Sequence, residues 1–254
     1  MVTCQADHRN GDASVLAPTD DIAVIPAPNP GPMTLEGTNT YVVGRDPAVV
    51  IDPGPADRGH IDAVRAEAER RGRTAKLLLT HSHSDHTEGV EMLGLEPTAL
   101  ADGEEAFGLR ALATPGHAPD HLCFLRGRGL FAGDLILGEG STIVPPAAQG
   151  GSLADYMDSL RKLQELDIDV IYPGHGPVIT DPQAKVDEYI RHREEREARL
   201  VAELDKGVRS RIALLDAVWD DVPAELRPAA AYAMQAHVEK LVAEDRLRAE
   251  ELSE

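Results

Sequence analysis

A dense cluster of side chains that bind metals lies in the first half of the chain. His81, His83, Asp85 and His86 fall within six residues and follow the apolar run 75–80. Residues two apart in an extended segment point the same way, so His81 and His83 can reach one ion. Asp85 and His86 come as the chain turns into a helix and can face a second ion. Imidazole and carboxylate ligands suit Zn²⁺, and they also suit Mn²⁺, Fe²⁺ or Co²⁺.

Three further ligand candidates occur singly downstream of this cluster. His117, Asp134 and His175 each end an apolar run, and each has a glycine directly before it. Glycine lets the backbone turn sharply, so that one side chain can point into a cleft. A lone histidine is more often a surface or satisfied core residue, but three similar settings after one cluster predict a common metal site.

These seven positions make the sequence resemble the metallo-beta-lactamase superfamily. The resemblance implies an α/β fold, the αββα sandwich, with the site at one edge of two packed sheets. It implies two Zn²⁺ ions per chain and hydrolysis by a hydroxide that the two metals share. It also implies the roles of the ligands: His81, His83 and His117 for the first metal, Asp85, His86 and His175 for the second, and Asp134 between them. Asp85 would in addition be catalytic, because it would orient the attacking hydroxide.

Four longer segments are similar to the beta-lactamase-like protein 2 branch of that superfamily: 37–41, 114–121, 133–140 and 172–177. The branch resemblance implies a C-terminal helix with a winged-helix-like module. It also implies an endoribonuclease-like activity, so hydrolysis of phosphodiesters in single-stranded RNA is the leading expectation. Residues 144–151 depart from the branch pattern beside the expected substrate cleft. Hydrolysis of a small ester, thioester or lactone is therefore the alternative.

Other classes of function fit the sequence less well. A redox enzyme of this fold with one iron would need only the first ligand set. A nucleic-acid-binding module with a vestigial site would not be expected to keep complete ligands for both metals. Secreted zinc beta-lactamases carry Cys or Ser in place of Asp134 and have export signals. Residues 181–254 contain 12 Lys and Arg against 18 Asp and Glu, a net charge of −6. A winged helix for double-stranded DNA should be basic, so packing or a homodimer through the C-terminal helices is the better interpretation.

Several other polar residues have two interpretations. His121 follows His117 by four residues and is either a catalytic group, such as a proton donor to the leaving group, or a structural hydrogen-bonding residue. The segment 138–142 is either a cradle for an anionic substrate group or a plain turn. Asn39 and Tyr41 are expected to be sheet residues. The remaining histidines are expected on solvated faces of the leader or of helices: His8, His60, His192 and His237.

Composition limits the class of protein. The net charge of −19 over 254 residues disfavours contact with nucleic-acid phosphates unless a local basic channel overrides it. Cys4 and Cys123 do not indicate a disulfide framework. No apolar run has the length of a membrane span or the pattern of a signal peptide, so no membrane contact and a cytoplasmic location are expected.

The ligand candidates must be positioned by alternating strands and helices. We expect a mobile leader over residues 1–18, a catalytic domain over 19–180, and a long helix with a winged-helix-like module over 181–254. Apolar runs between turn signals predict strands, among them 75–80, 98–100, 110–113, 122–125, 129–131 and 170–172. Capping signals and charged amphipathic patterns predict helices at 57–71, 87–93, 152–166, 181–206, 210–218 and 227–243, before a closing strand at 246–250.

Overall fold

A computed structural model describes residues 21–253 of the chain, so the leader expected over residues 1–18, with Cys4 and His8, lies outside the described part. The strands form two sheets. The first sheet has four strands in chain order: β1 (Ile22–Pro26), β2 (Asn39–Val43), β3 (Ala48–Ile51) and β4 (Ala75–Leu78). The second has five, also in chain order: β5 (Glu105–Ala106), β6 (Leu109–Ala113), β7 (Leu122–Arg126), β8 (Gly129–Gly133) and β9 (Val170–Pro173).

Each sheet is antiparallel except for its last pair of strands. β3 pairs in parallel with β4, and β8 pairs in parallel with β9. Parallel neighbours need a long crossover, and a helix lies in each of the two connections. The helices of the described residues are α1 (Arg58–Arg71), α2 (Ser84–Thr87), α3 (Val90–Leu93), α4 (Leu153–Gln164), α5 (Pro182–Asp205), α6 (Arg211–Val218) and α7 (Arg227–Ala243).

The two sheets pack face to face, and the alternation of side chains along their strands explains the four layers. In β2, Tyr41 and Val43 join the core between the sheets, whereas Val42 joins a second core against α1. In β7, Phe124 faces the first sheet while Cys123 faces the core formed with α4 and α5. The order of layers is thus helix, sheet, sheet, helix, which confirms the expected αββα sandwich.

The C-terminal helices have a core of their own. Leu200 and Leu204 at the end of α5 pack against Leu214, Trp219 and Met234 of the following segments. The closing strand expected at 246–250 is absent from the described structure. Residues Ala249–Glu251 form a 3-10 turn instead, and a single bridge joins Ser210 to Ser253.

Two other elements differ from the sequence expectation. The helix expected at 87–93 is divided into α2 and α3 at Glu88 and Gly89, and Gly89 packs so closely on Ile61 that a side chain there would clash. The strand expected at 98–100 reduces to one bridge between Leu77 and Pro97, in which the N–H of Thr98 donates to the carbonyl oxygen of Leu77. No helix within residues 21–253 is long and apolar enough to cross a membrane.

Candidate metal centre

All seven predicted ligands meet at one edge of the sandwich, because each follows the end of a strand. His81 and His83 come after β4, and Asp85 and His86 lie in α2. The remaining three follow β6, β8 and β9 in turn: His117, Asp134 and His175. Five of the seven residues are buried and the other two are partly exposed, so the cluster is a shielded site and not a patch of surface polar groups.

The first group consists of three histidines whose ring nitrogens converge. Nδ1 of His83 lies 3.0 Å from Nε2 of His81 and 2.9 Å from Nε2 of His117. Asp134 completes this group, and the ligand atoms of all four residues lie within 4.8 Å of one another. Three imidazoles around one point are a donor set that Zn²⁺ accepts readily.

The second group consists of Asp85, His86 and His175, whose ligand atoms also lie within 4.8 Å of one another. Oδ2 of Asp85 is 3.2 Å from Nε2 of His175 and 3.5 Å from Nε2 of His86. The group mixes two imidazoles with one carboxylate, so it also suits zinc, manganese or iron.

Asp134 lies between the two groups and directs one oxygen towards each. Its Oδ1 is 3.2 Å from Nε2 of His86 and 3.3 Å from Nε2 of His175. Its Oδ2 is 3.7 Å from Nε2 of His117, in the first group. This is the geometry that a bridging carboxylate requires.

The protein atoms around the centre fit a cation. Nε2 of His86 and Oδ1 of Asp134 are buried, and neither makes a hydrogen bond. Buried polar atoms without partners are rare in folded proteins and need an explanation. A cation that accepts lone pairs from several sides would satisfy both atoms at once.

Two of the histidines are held through Nδ1, the ring nitrogen that points away from the centre, so Nε2 is the nitrogen left to bind a metal ion. Nδ1 of His117 donates to the carbonyl oxygen of Ile143 at 2.8 Å, and Nδ1 of His175 donates to the carbonyl oxygen of Gly37 at 3.2 Å. Since a carbonyl oxygen only accepts, the proton must be on Nδ1 in both rings. Such outer bonds fix the tautomer and orientation of metal-binding histidines.

Two carboxylates carry the negative charge at the centre, and the imidazole of His175 balances part of that charge. Burial would raise the pKa of Asp134, but the imidazoles of His86 and His175 hold that pKa well below its usual range. Burial also opposes ionisation of Asp85, yet its hydrogen bond with His175 lowers its pKa. Burial would lower the pKa of His175, whereas the two carboxylates raise it to about 9. Both carboxylates are therefore ionised at neutral pH and attract a cation.

Asp52 contacts the candidate centre and was not predicted from the sequence. It follows β3 and accepts Nδ1 of His86 at 2.9 Å through Oδ2. It also accepts the N–H and the hydroxyl of Thr80, each at 2.7 Å. The sequence signal for Asp52 is its position. It directly follows a buried strand, as Asp134 does, and Pro53-Gly54 come next.

Two of the glycines next to ligands are required by close packing. A Cβ on Gly174 would lie 2.4 Å from Oδ1 of Asp134. Gly133 has a φ of +47°, and a Cβ there would lie 2.7 Å from Oγ1 of Thr80 and 2.8 Å from Nε2 of His121. The glycines therefore let the strand ends approach each other as well as turn.

His121 makes structural hydrogen bonds with both ring nitrogens. The N–H of Asp134 donates to Nε2 at 3.2 Å, so the ring proton is on Nδ1, which lies 2.9 Å from Oγ1 of Thr114. The ring is buried, and burial lowers its pKa to about 3. These contacts favour the structural interpretation over the proton donor.

Asn39 and Tyr41 are sheet residues, as expected, and they also hold the loop that carries His175. The amide of Asn39 donates to the carbonyl oxygens of Pro173 and Gly176, and the hydroxyl of Tyr41 donates to Pro173. The expectation of solvated histidines is wrong for His60 and His237, which are 4% and 1% exposed. His192 is partly exposed.

A cavity of about 500 Å³ opens above the centre. Asp85, which is the more exposed of the two carboxylates, lies in its floor together with ligands from both groups. The surrounding wall is largely apolar and contains no Lys or Arg from residues 21–253: Pro32, Met33, Leu137, Ile143, Pro145 and Tyr232. The segment 138–142 contributes Ser141 and Thr142 to the rim, while the N–H of Gly138 is already bonded to the carbonyl oxygen of His175.

Comparison with known proteins agrees with this geometry. The sequence profile of the metallo-beta-lactamase superfamily matches residues 33–99 and 95–175. The profile of the beta-lactamase associated winged helix domain matches residues 212–252. A crystal structure of a metallo-beta-lactamase family protein from Thermus thermophilus has a TM-score of 0.73 and 25% sequence identity, and the match covers 89% of this chain and 94% of that one.

One of three similar curated proteins is named for an activity. Lactamase-like protein adaB from Aspergillus niger is 37% identical over 74% of this chain, and the match spans only 65% of that protein's length. A beta-lactamase-like protein 2 homolog from Caenorhabditis elegans is 36% identical over 72% of this chain and 70% of its own. An atrochrysone carboxyl ACP thioesterase from Aspergillus fumigatus is 35% identical over 78% of this chain and 73% of its own. The chain belongs to the metallo-beta-lactamase superfamily and carries the winged-helix domain associated with it.

Proposed function

We propose that the protein is a dinuclear zinc hydrolase of carboxylic esters or thioesters with an apolar acyl group. The observation that carries the proposal is the cavity above the centre, whose wall combines Met33, Ile143 and Tyr232 with no cationic side chain of the described residues. Such a wall suits an apolar acyl group. The thioesterase among the relatives supports the same choice.

The proposed metal ligands follow from the two groups. His81, His83 and His117 would hold one Zn²⁺, Asp85, His86 and His175 would hold the other, and Asp134 would bridge them. Bound zinc ions lower the pKa of water and stabilise negative charge on the attacked carbonyl group. Mn²⁺ and Fe²⁺ suit the same donors. Metal analysis should find two zinc ions per chain, and a content of one would contradict the dinuclear assignment.

Asp85 has the position of the residue that orients the nucleophile. Its Oδ2 contacts Nε2 of His175 at 3.2 Å and accepts the hydroxyl of Thr38 at 3.4 Å. The side chain is 27% exposed at the cavity floor, so it can also accept a hydrogen bond from water. An ionised carboxylate there holds the water with a lone pair towards the carbonyl carbon and takes up its proton.

Hydrolysis of single-stranded RNA is the second candidate, and the winged-helix domain at residues 212–252 favours it. Proteins that bind single strands track the phosphates with a positively charged groove. The cavity wall lacks cations among the described residues and the net charge is −19, so this candidate has less support than the acyl substrate.

A homodimer through the C-terminal helices stays a prediction that sedimentation can test.

The decisive assay compares both substrate classes on one zinc-loaded preparation. We expect hydrolysis of aromatic acyl thioesters and a loss of at least about 100-fold in Asp85→Ala, in line with the size of general-base effects. Asp158→Ala on the exposed face of α4 is the matched control and should keep its activity. RNA cleavage that requires Asp85, together with no thioester hydrolysis, would overturn the proposal in favour of the second candidate.

A further inference from the structure

A second cavity, of about 250 Å³, lies beside the cavity of the metal centre. Both cavities are lined by Pro32, Ser141, Thr142 and Ile143, so they meet at this shared wall. The opposite wall of the second cavity comes from α5, α7 and the segment between α6 and α7. The C-terminal part of the chain therefore contributes a compartment directly next to the catalytic one.

Arg193 of α5 lines this second cavity and is only 5% exposed. Its Nη2 donates to Oγ of Ser141 and to the carbonyl oxygen of Thr142. Its guanidinium lies 5.3 Å from the ring centre of Tyr156. All of these partners are neutral groups. Among residues 21–253, no carboxylate oxygen lies within 4 Å of the guanidinium of Arg193, and Nε of Arg193 has no hydrogen-bond partner.

Arg196, one turn further along α5, differs from Arg193 in having a carboxylate partner. It lines the same cavity, but its Nη2 is paired with Asp221 at 2.6 Å. A buried charge is costly unless a counter-charge and hydrogen bonds compensate it. Arg196 has that compensation and Arg193 does not. Arg193 is thus the group in this cavity that an anion would satisfy, because a guanidinium binds carboxylates and phosphates through charge-assisted hydrogen bonds.

The rest of the cavity wall is mostly apolar. Trp219, Val222 and Leu226 lie on one side, and alanines of α7 lie on the other: Ala229, Ala230 and Ala233. An inorganic anion would leave these side chains without contact. The ligand that matches both features has an anionic group on an apolar or aromatic body.

We propose that this second cavity is a subsite for a ligand of that kind, recognised by Arg193. The ligand is the portion of the substrate on the far side of the bond that is cleaved. It occupies the second cavity while the ester group of the same molecule lies over Asp85 in the adjoining cavity. The identity of the ligand as substrate rests on the proposed function, but its binding at Arg193 does not. A binding measurement therefore separates failure of the subsite from failure of the hydrolase assignment.

The chain offers a direct probe of occupancy, since Trp219 is the single tryptophan of the sequence and lines the cavity. We would titrate the zinc-loaded protein with 1-naphthoate and with neutral 1-naphthamide and follow the Trp219 emission. The two probes differ in charge and share the aromatic body. The subsite predicts that naphthoate binds at least about tenfold more tightly, as expected for a hydrogen bond to a charged group. Equal affinity of the two probes would overturn the proposal.

Three variants locate the effect. Arg193→Gln should abolish the preference for naphthoate and leave naphthamide binding unchanged. Arg199→Gln, on the same helix but exposed and paired with Asp220, is the matched control and should keep the preference. Ala229→Phe fills the cavity from a partly exposed position and should weaken both probes, so it decides the question if Arg193→Gln does not fold. Naphthoate binding that survives Ala229→Phe would place the site elsewhere and contradict the proposal.

The source of the anionic group is distinguished by a third probe. 1-Naphthyl phosphate that binds more tightly than 1-naphthoate, and loses this advantage in Arg193→Gln, would assign a phosphorylated ligand. The reverse order with the same dependence on Arg193 would assign a carboxylate. Both outcomes support the subsite, whereas affinities for the two anions that do not depend on Arg193 would refute it.

Discussion

Oδ2 of Asp52 lies 2.9 Å from Nδ1 of His86, and this contact joins the first sheet to the metal centre. The other hydrogen bonds of the Asp52 side chain come from the N–H and hydroxyl of Thr80, next to His81. Oγ1 of Thr80 in turn lies 3.0 Å from Nδ1 of His81. One buried carboxylate therefore orients a histidine of each ligand group, although it belongs to neither.

Replacement of Asp52 by alanine should weaken metal binding although no ligand is removed. Loss of such an outer hydrogen bond commonly costs about 10- to 100-fold in metal affinity, because the histidine ring is no longer held in one orientation and tautomer. Competition with a chromogenic chelator would measure the zinc affinity. Asp62→Asn, on the exposed face of α1, should leave it unchanged. An unchanged affinity in a folded Asp52→Ala variant would contradict the orienting role.

The positions of the ligands could be predicted from the sequence because each ligand follows an apolar run, and the ends of such runs meet at an edge of the sandwich. Asp52 follows the same rule after β3, but a single carboxylate at a strand end is common. Its hydrogen bonds to α2 and to Thr80, just after β4, depend on the parallel pairing of β3 with β4. Register of this kind is a property of the folded sheet and is not visible in the local sequence.

The expectation that His237 lies on a solvated face is wrong for a different physical reason. It lies in α7, whose polar residues suggested one solvated face. In the structure, Ala236 packs into the core of the second sheet with α4 and α5, while Val238 packs into the C-terminal core. A helix between two cores is buried on opposite sides, so a residue between them can be buried although the helix lacks a clear apolar stripe.

The bridging position of Asp134 leads to a second prediction. Asp134→Ala should lose bound metal and hydrolytic activity together, since it removes the carboxylate that faces both ligand groups and leaves their histidines without it. Elemental analysis and the thioester assay on the same preparation would test this. A variant that retains two metal ions per chain but has no activity would argue against bridging and for a purely chemical role.

His121 should affect the stability of the site and not the protonation of the leaving group. His121→Ala is expected to lower the melting temperature and kcat, because it leaves the N–H of Asp134 without its acceptor and removes one partner of the Thr114 hydroxyl. His121→Gln can still accept from Asp134 and should recover part of both. The pH profile of kcat should keep its shape in each variant. Loss of one limb of that profile in His121→Ala would support the proton donor instead.

The last prediction concerns His237, which is buried with no hydrogen-bond partner at either ring nitrogen. Burial, together with the charges of Arg193 and Lys240, lowers its pKa to about 3 from 6.5. The unfolded chain therefore binds a proton on His237 at a higher pH than the folded protein does, so stability falls as the pH drops from about 6.5 towards 3, by up to about 1.4 kcal/mol per pH unit. His237→Phe should remove this contribution and stabilise the protein increasingly below pH 6.5. Urea unfolding at several pH values would measure the difference, and parallel curves for the two proteins would contradict the assignment.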